Sequence, residues 1–266
     1  VSDSDDGYFR AGIVRGQLVE LERKTIVTQF SGFITDVVAR INDGKEATVY
    51  LCSTSSGELL AAKMYRARRF RAFRNDRQYA APLRHRGRDK RMDKAMHQAT
   101  SKGREFGQWQ WVEREWLTLE ALHAAGASVP RPVARCEAGI LMEFIGDDDG
   151  AAHRLHDVLA RRRGEIGRQQ LAGWWDALLD DVVIMLRTDM VHGDLSAYNV
   201  LIQEEQPRVI DVPQAADARA DDAFELLQRD LLNLSRPLQQ AGLDDVHDGA
   251  VRLAQTLWRQ YRSGRL

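Results

Sequence analysis

Asp194 and Asn199 stand five residues apart in Val191-His192-Gly193-Asp194-Leu195-Ser196-Ala197-Tyr198-Asn199-Val200-Leu201-Ile202, and the chain runs from the asparagine straight into an apolar strand. Twelve residues after Asn199, a second apolar strand ends in Val209-Ile210-Asp211 and puts another carboxylate at a strand terminus. Carboxylates and amides cannot be buried without partners. A polar loop between two apolar strands must face solvent, and the alternative is that Asp194 and Asn199 cap turns and Asp211 caps a strand. In this order and spacing the three read instead as one site, on a loop and a strand end that share a cleft.

A chain of 266 residues is long enough to form such a cleft between two lobes. Apolar residues make up 44% and charged residues 29%, with six prolines, which excludes a disordered or low-complexity array. Thirty-eight basic and 39 acidic side chains leave a net charge of −1, so the chain as a whole gives no electrostatic argument for nucleic acid. Two cysteines, Cys52 and Cys136, supply neither a disulfide framework nor a zinc site. Apolar stretches such as Val182 to Leu186 are too short to span a bilayer. No signal peptide opens the chain, which begins at Val1, and the expectation is a cytoplasmic globular protein with no membrane partner.

Along the chain, residues 17–41 carry helical spacing, with Ile34, Val37, Val38 and Ile41 as a buried stripe. Ala47 to Cys52 and Leu59 to Tyr65 read as a hairpin turning at 53–57. A basic segment follows. Arg66, Arg68, Arg69, Arg71, Arg74, Arg77, Arg84, Arg86, Arg88, Lys90, Arg91 and Lys94 are opposed only by Asp76, Asp89 and Asp93. Helical spacing returns from Gly107 to Ala125, with Val112, Trp116, Leu119 and Leu122 on one face. Val129-Pro130-Arg131-Pro132 must be extended. Strands at 133–136 and 140–145 lead to an acidic linker, Gly146 to Gly150, and helices follow at 153–163, 168–188, 221–235 and 243–263. The expected architecture is α+β and bilobal. Residues 1–30 form an N-terminal extension, 31–146 a β-rich N-lobe with a basic insertion at 66–104, and 147–266 a short α-rich C-lobe.

The Asp194–Asn199 spacing is that of a kinase catalytic loop. There a carboxylate orients and deprotonates the accepting group, and an amide oxygen on the same loop holds Mg²⁺ against the phosphates. A strand end can point the Asp211 carboxylate at the same metal. Upstream, Gly44-Lys45-Glu46-Ala47-Thr48-Val49-Tyr50 lies where a phosphate-covering loop belongs, without a full glycine-rich repeat. Lys63, in the strand Ala61-Ala62-Lys63-Met64-Tyr65, needs a carboxylate partner if it is buried. Glu115 is the choice and Glu113 the alternative. Met142-Glu143-Phe144-Ile145 falls where a hinge would offer backbone groups to adenine.

Gly44-Lys45-Glu46-Ala47 with Val49-Tyr50, Ala62-Lys63-Met64-Tyr65, His192 to Asn199, and Ile210-Asp211-Val212-Pro213-Gln214-Ala215 closely resemble the RIO family of atypical protein kinases, in particular its bacterial members. Arg229-Asp230, Asn233 and the stretch from Trp258 to Leu266 extend the likeness. The resemblance implies a kinase-like fold binding ATP and Mg²⁺, with Mn²⁺ as a substitute ion. It implies that Lys63 contacts the phosphates and pairs with Glu115, that Asp194 is catalytic, and that Asn199 and Asp211 are metal ligands. ATP contacts are expected at Gly44, Lys45, Glu46, Ala47, Val49, Lys63, Glu115, Met142, Glu143 and Ile145. The implied activity is ATP-dependent serine/threonine phosphorylation, including autophosphorylation, and ATP hydrolysis through an aspartyl-phosphate at Asp211.

Two other readings use the same residues. A small-molecule phosphotransferase of the aminoglycoside or choline kinase type shares the His-Gly-Asp loop; Gly44 to Ala47 and the Pro213-Gln214 after Asp211 argue against it. An ATP-switched RNA- or ribosome-binding factor would use residues 66–94, whose clustered arginines gain from counterion release and whose Phe70, Phe73 and Tyr79 can stack on bases. The protein substrate is not legible. Trp174, Trp175, Cys52 and Cys136 read as packing residues, and His192 as a brace for its loop.

Overall fold

The computed structural model describes residues 20–44, 46–66, 101–147 and 150–266, without the side chains of 101–108 and 110. Lys45, residues 1–19, and the expected RNA-contacting arginines and aromatics at 68–94 lie outside them.

Helix α1 (Glu20–Gln29) precedes strands β1 (Asp36–Asp43), β2 (Ala47–Ser53) and β3 (Leu59–Tyr65), and helix α2 (Ser101–Ala124) is followed by β4 (Pro132–Cys136) and β5 (Gly139–Glu143). The five strands form one antiparallel sheet in the order β1-β2-β3-β5-β4. The helical reading of 17–41 is corrected in part: residues 20–29 are helix α1, but the stripe from Val37 to Ile41 lies in β1. Val37 points inward at 3% exposure while Val38 is 52% exposed, the alternation a strand imposes. Irregular register between Val37 and Ala39 and between Arg40 and Asn42 breaks strict alternation and mimics a helical period. Of the segment expected as an extension, the described residues 20–30 pack on the N-lobe core, with Ile26 of α1 and Phe30 just beyond it against Val37, Tyr50, Cys52, Leu60 and Leu141.

Helix α2 stops where Gly126 takes φ +87, with Gly126 N–H bonded to the His123 carbonyl and Ala127 N–H to that of Leu122. This is the paired closure that left-handed glycine permits. It turns the chain into the extended Val129–Pro132 segment. Beyond β5, the acidic linker is in part a small hairpin of β6 (Gly146–Asp147) and β7 (Gly150–Ala151).

The C-lobe comprises β8 (His153–Arg154), α3 (Leu155–Arg161), α4 (Arg168–Arg187), β9 (Met190–Val191), β10 (Val200–Gln203), β11 (Gln206–Val209), β12 (Ala216–Asp217), α5 (Ala223–Gln240) and α6 (Val246–Arg262). One apolar cluster runs from Val112, Leu119 and Leu122 of α2 through Ile140 to Leu171, Trp174, Leu178, Leu195 and Leu231. Each such buried side chain contributes about 1.5–3 kcal/mol relative to exposure, so α2 ties the lobes by its apolar face. Trp174 and Trp175 are core residues, as expected; Cys52 is fully buried and Cys136 half-buried. No described helix is long and apolar enough to cross a membrane.

Candidate active site

Two nested strand pairs carry the site. Strand β9 pairs with β12, Val191 opposite Ala216, and β10 pairs with β11, Val200 opposite Val209. The loop holding Asp194 leaves β9 and enters β10; the segment holding Asp211 leaves β11 and enters β12. Both carboxylates therefore emerge at the same end of the same pairs. Leu195, Ala197 and Val200 are buried and pin the first loop from below. Ile210 N–H bonds the Asn199 carbonyl at 2.9 Å and joins it to the second.

The backbone is unusual where the chemistry sits. Asp211 has φ +66, a region costly for any residue with a Cβ, and Gly193 has φ +79. A Cβ at Gly193 would also lie 2.7 Å from the Gln214 carbonyl oxygen, so glycine is required where the two loops touch.

From beneath, Asp230 of α5 accepts the N–H groups of Gly193 at 2.7 Å and Leu195 at 3.0 Å, and Arg229 donates to the Gly193 carbonyl. Burial pushes the Asp230 carboxyl up to about 7, although both backbone donors favour its charged form. His192 is buried and accepts the Asp194 N–H at Nδ1 over 3.3 Å, which makes it the brace expected from the sequence. Burial pushes its pKa down from 6.5 to about 4. Because the unfolded chain takes up this proton near pH 6.5 and the folded chain only near 4, His192 contributes fully above about pH 6.5 and loses that contribution as pH falls toward 4. Relative to His192→Gln, wild-type stability is expected to drop by about 2–3 kcal/mol between about pH 7.5 and 4.5. Urea melts that stay parallel over that range would show a solvated imidazole instead.

On the cleft roof, Lys63 of β3 joins both lobes. Its Nζ donates to Glu115 Oε1 at 2.7 Å and to Asp211 Oδ1 at 2.5 Å. Lys63 is 8% exposed and Glu115 3%, so neither charge could stand alone. Burial opposes the ammonium, but Glu115 and then Asp211 outweigh it and hold Lys63 above its ordinary pKa. Glu113 pairs instead with Arg135 at 2.7 Å, which settles the partner of Lys63 as Glu115.

The two cleft carboxylates are driven apart. Burial opposes charge on Asp211, yet the Lys63 ammonium keeps its carboxyl below the usual range. Asp194 is raised, by burial first and then by the Asp211 charge, with Glu46 adding to it from the loop above. One carboxylate is thus held ionised and the other is a better proton acceptor, the division an acid–base site needs. Asn199 spends its amide N–H on the Asp194 carbonyl at 2.8 Å, leaving its amide oxygen as a donor to a cation. Among the described residues no three His, Cys, Asp or Glu side chains form a metal cage. Asn199 and Asp211 offer oxygen only, which fits Mg²⁺ held by few protein ligands and completed by substrate phosphates.

The remaining expected residues divide. Gly44 N–H bonds the Ala47 carbonyl at 3.0 Å across the loop expected to cover phosphates. Val49 and Met142 pack with Ala61 and Phe144 on the sheet face away from α1. Ala61 is an addition to the expected roof; it lies two residues before Lys63 and so shares its face. At the hinge, Ile145 is buried and its carbonyl accepts the Ala152 N–H. The Glu143 side chain points to Arg208, and its N–H goes to the Arg131 carbonyl. Arg208 and the bracing role of Asp230 were not legible; a buried charge on an apolar helix face, as at Asp230, is the signal that could have drawn attention.

A RIO domain model matches residues 48–250. The RIO-type serine/threonine-protein kinase Rio1 of Haloferax volcanii is 31% identical over 204 residues, covering 77% of this chain and 63% of that protein. The serine/threonine-protein kinase RIO1 of Chaetomium thermophilum is 29% identical over 228 residues, covering 82% of this chain and 42% of that protein. The chain thus spans less than two thirds of either relative. In fold it is similar to the crystal structure of the Rio2 kinase from Chaetomium thermophilum, with TM-score 0.57, 18% identity and coverage of 92% of this chain and 77% of that one. The Rio2 kinase-ADP/Mg²⁺-phosphoaspartate complex from the same organism aligns with TM-score 0.55 and 17% identity, covering 91% of this chain and 74% of that one.

Proposed function

This chain belongs to the RIO domain family of atypical serine/threonine kinases, and on that footing we propose that it transfers the γ-phosphate of ATP to serine or threonine hydroxyls and also hydrolyses ATP through Asp211. The observation that carries this reading is Lys63, which contacts Glu115 and Asp211 at once above a loop presenting Asp194 and Asn199.

In transfer, the acceptor oxygen bonds to the γ-phosphorus, the bond from that phosphorus to the bridging oxygen breaks, and ADP leaves. Asp194 orients the hydroxyl and takes its proton. Lys63 neutralises phosphate charge while Glu115 keeps its ammonium in place. Asn199 and Asp211 would hold Mg²⁺, which when bound supplies further charge neutralisation to the phosphates. Such catalysis is mostly positioning and electrostatics. In the hydrolytic branch the ionised Asp211 oxygen is the nucleophile; water then breaks the acyl phosphate and releases inorganic phosphate. Gly44, Lys45, Glu46, Ala47 and Val49 cover the phosphates, and Met142, Glu143 and Ile145 line the adenine end. We read the N-lobe as ending at residue 146 and the C-lobe as beginning at 147, with this cleft at their junction.

The motif run Asp211-Val212-Pro213-Gln214 supports placement among bacterial members, and the basic run at 66–94 supports an RNA or ribosomal partner through counterion release. A cytoplasmic setting accords with a nucleotide-driven reaction.

The test is incubation of the protein with γ-labelled ATP and Mg²⁺. Acid-stable label on serine or threonine is expected, with hydroxylamine-labile label or free phosphate from the Asp211 branch. A protein that acquires no label and releases no phosphate would overturn the reading.

A further inference from the structure

The hinge is held from below by the same hairpin that carries the metal-binding side chains. Arg208 lies on β11, three residues before Asp211, and its side chain is 23% exposed. Its Nη2 donates to Glu143 Oε2 at 2.9 Å and to the Val129 carbonyl at 3.1 Å. Its Nη1 reaches Glu143 Oε1 at 3.4 Å and Gln203 Oε1 at 3.3 Å. Glu143 Oε2 accepts the Arg131 N–H at 2.9 Å as well. On the paired strand β10, Gln203 donates to the Gly146 carbonyl at 3.0 Å. Both ends of the hinge are therefore fastened to the β10–β11 hairpin, Gly146 to Gln203 at its turn end and Glu143 to Arg208 one pair from its inner end, where the strands run into Asn199 and Asp211.

The neighbouring chain reinforces this. Val209 N–H bonds the Ser128 carbonyl at 2.8 Å, and Ser128 N–H bonds the buried carboxylate of Asp181 on α4 at 2.7 Å. Strand β11 is thus anchored at Arg208 and Val209, immediately before the segment that carries Asp211. A planar fork gripping both carboxylate oxygens fixes orientation as well as distance, which an ammonium cannot do.

We propose that Arg208, acting through Glu143, is a positioning residue that sets the span between the adenine end of the cleft and the metal-binding pair Asn199 and Asp211. Nucleotide affinity and the magnesium requirement are thereby coupled through one side chain. The proposal rests on the reading of this cleft as an ATP site.

The test compares wild type, Arg208→Met, Arg208→Lys, Glu143→Gln and the Arg208→Met/Glu143→Gln double variant in three measurements: binding of a fluorescent ribose-modified ATP, the kcat and KM for ATP, and the Mg²⁺ concentration for half-maximal turnover. Arg208→Met should weaken nucleotide binding about tenfold, the scale of losing one charge-assisted hydrogen bond, and raise the Mg²⁺ requirement in parallel. Arg208→Lys should restore little of either. The double variant should be no worse than the poorer single one, because both remove one link. It leaves no unpaired charge and keeps the comparison readable if a single variant folds poorly. Normal nucleotide binding with a normal Mg²⁺ requirement in Arg208→Met would overturn the coupling, as would a loss of thermal stability alone or additive effects in the double variant. Failure of wild type itself to bind the fluorescent nucleotide would instead overturn the ATP-site reading, and this proposal with it.

Discussion

Asp194→Asn is expected to lower phosphoryl transfer by about 10²–10⁴-fold, the usual contribution of a positioned general base, with nucleotide binding nearly unchanged. The substitution is gentle in structure. Asn199 donates chiefly to the Asp194 backbone carbonyl, and the Asp194 N–H goes to His192, so the contacts that shape the loop do not depend on the lost charge. Removing that charge also relieves its repulsion with Asp211, a second reason for affinity to survive. Single-turnover transfer beside equilibrium nucleotide binding separates the two effects. A variant with wild-type turnover would take the base role away from Asp194.

Lys63→Met should be the most disruptive single change to both stability and activity. It leaves Glu115 buried without a counter-charge and frees Asp211 from its roof contact. Breaking one side of a buried pair costs about 3–5 kcal/mol, whereas replacing both partners by apolar groups is often neutral. The double variant Lys63→Met/Glu115→Leu should accordingly recover most of the stability and none of the turnover. Urea denaturation and ATP turnover on the three proteins check this. A single variant as stable as wild type would mean that the pair is far more hydrated than its burial indicates.

The chemistry of the site was more legible than its support. Asp194, Asn199 and Asp211 announce themselves because loop and strand-end positions force polar groups into a cleft, and their order along the chain is short and local. Lys63 was legible because a lysine amid apolar strand residues demands a partner. Glu115 was the choice over Glu113, and the packing of α2 turns it inward to Lys63 while Glu113, two residues away and facing differently, meets Arg135. The β1 segment misled because two irregularities in its pairing gave its apolar residues a helical period. Arg208 was invisible for another reason. Its meaning depends on Glu143, 65 residues away, and no local pattern encodes a contact of that span.

The nesting of β10–β11 inside β9–β12 also bears on how the site is built during folding. Asp194 and Asp211 are 17 residues apart in sequence, and their loops are closed by short strand pairs within residues 190–217. Lys63 must find Glu115 across 52 residues and Asp211 across 148. Closing a short loop costs less chain entropy than closing a long one, and local contacts form faster. On these loop lengths the cleft floor is expected to close before the roof docks and brings the lysine, so that a folded hairpin precedes a competent site.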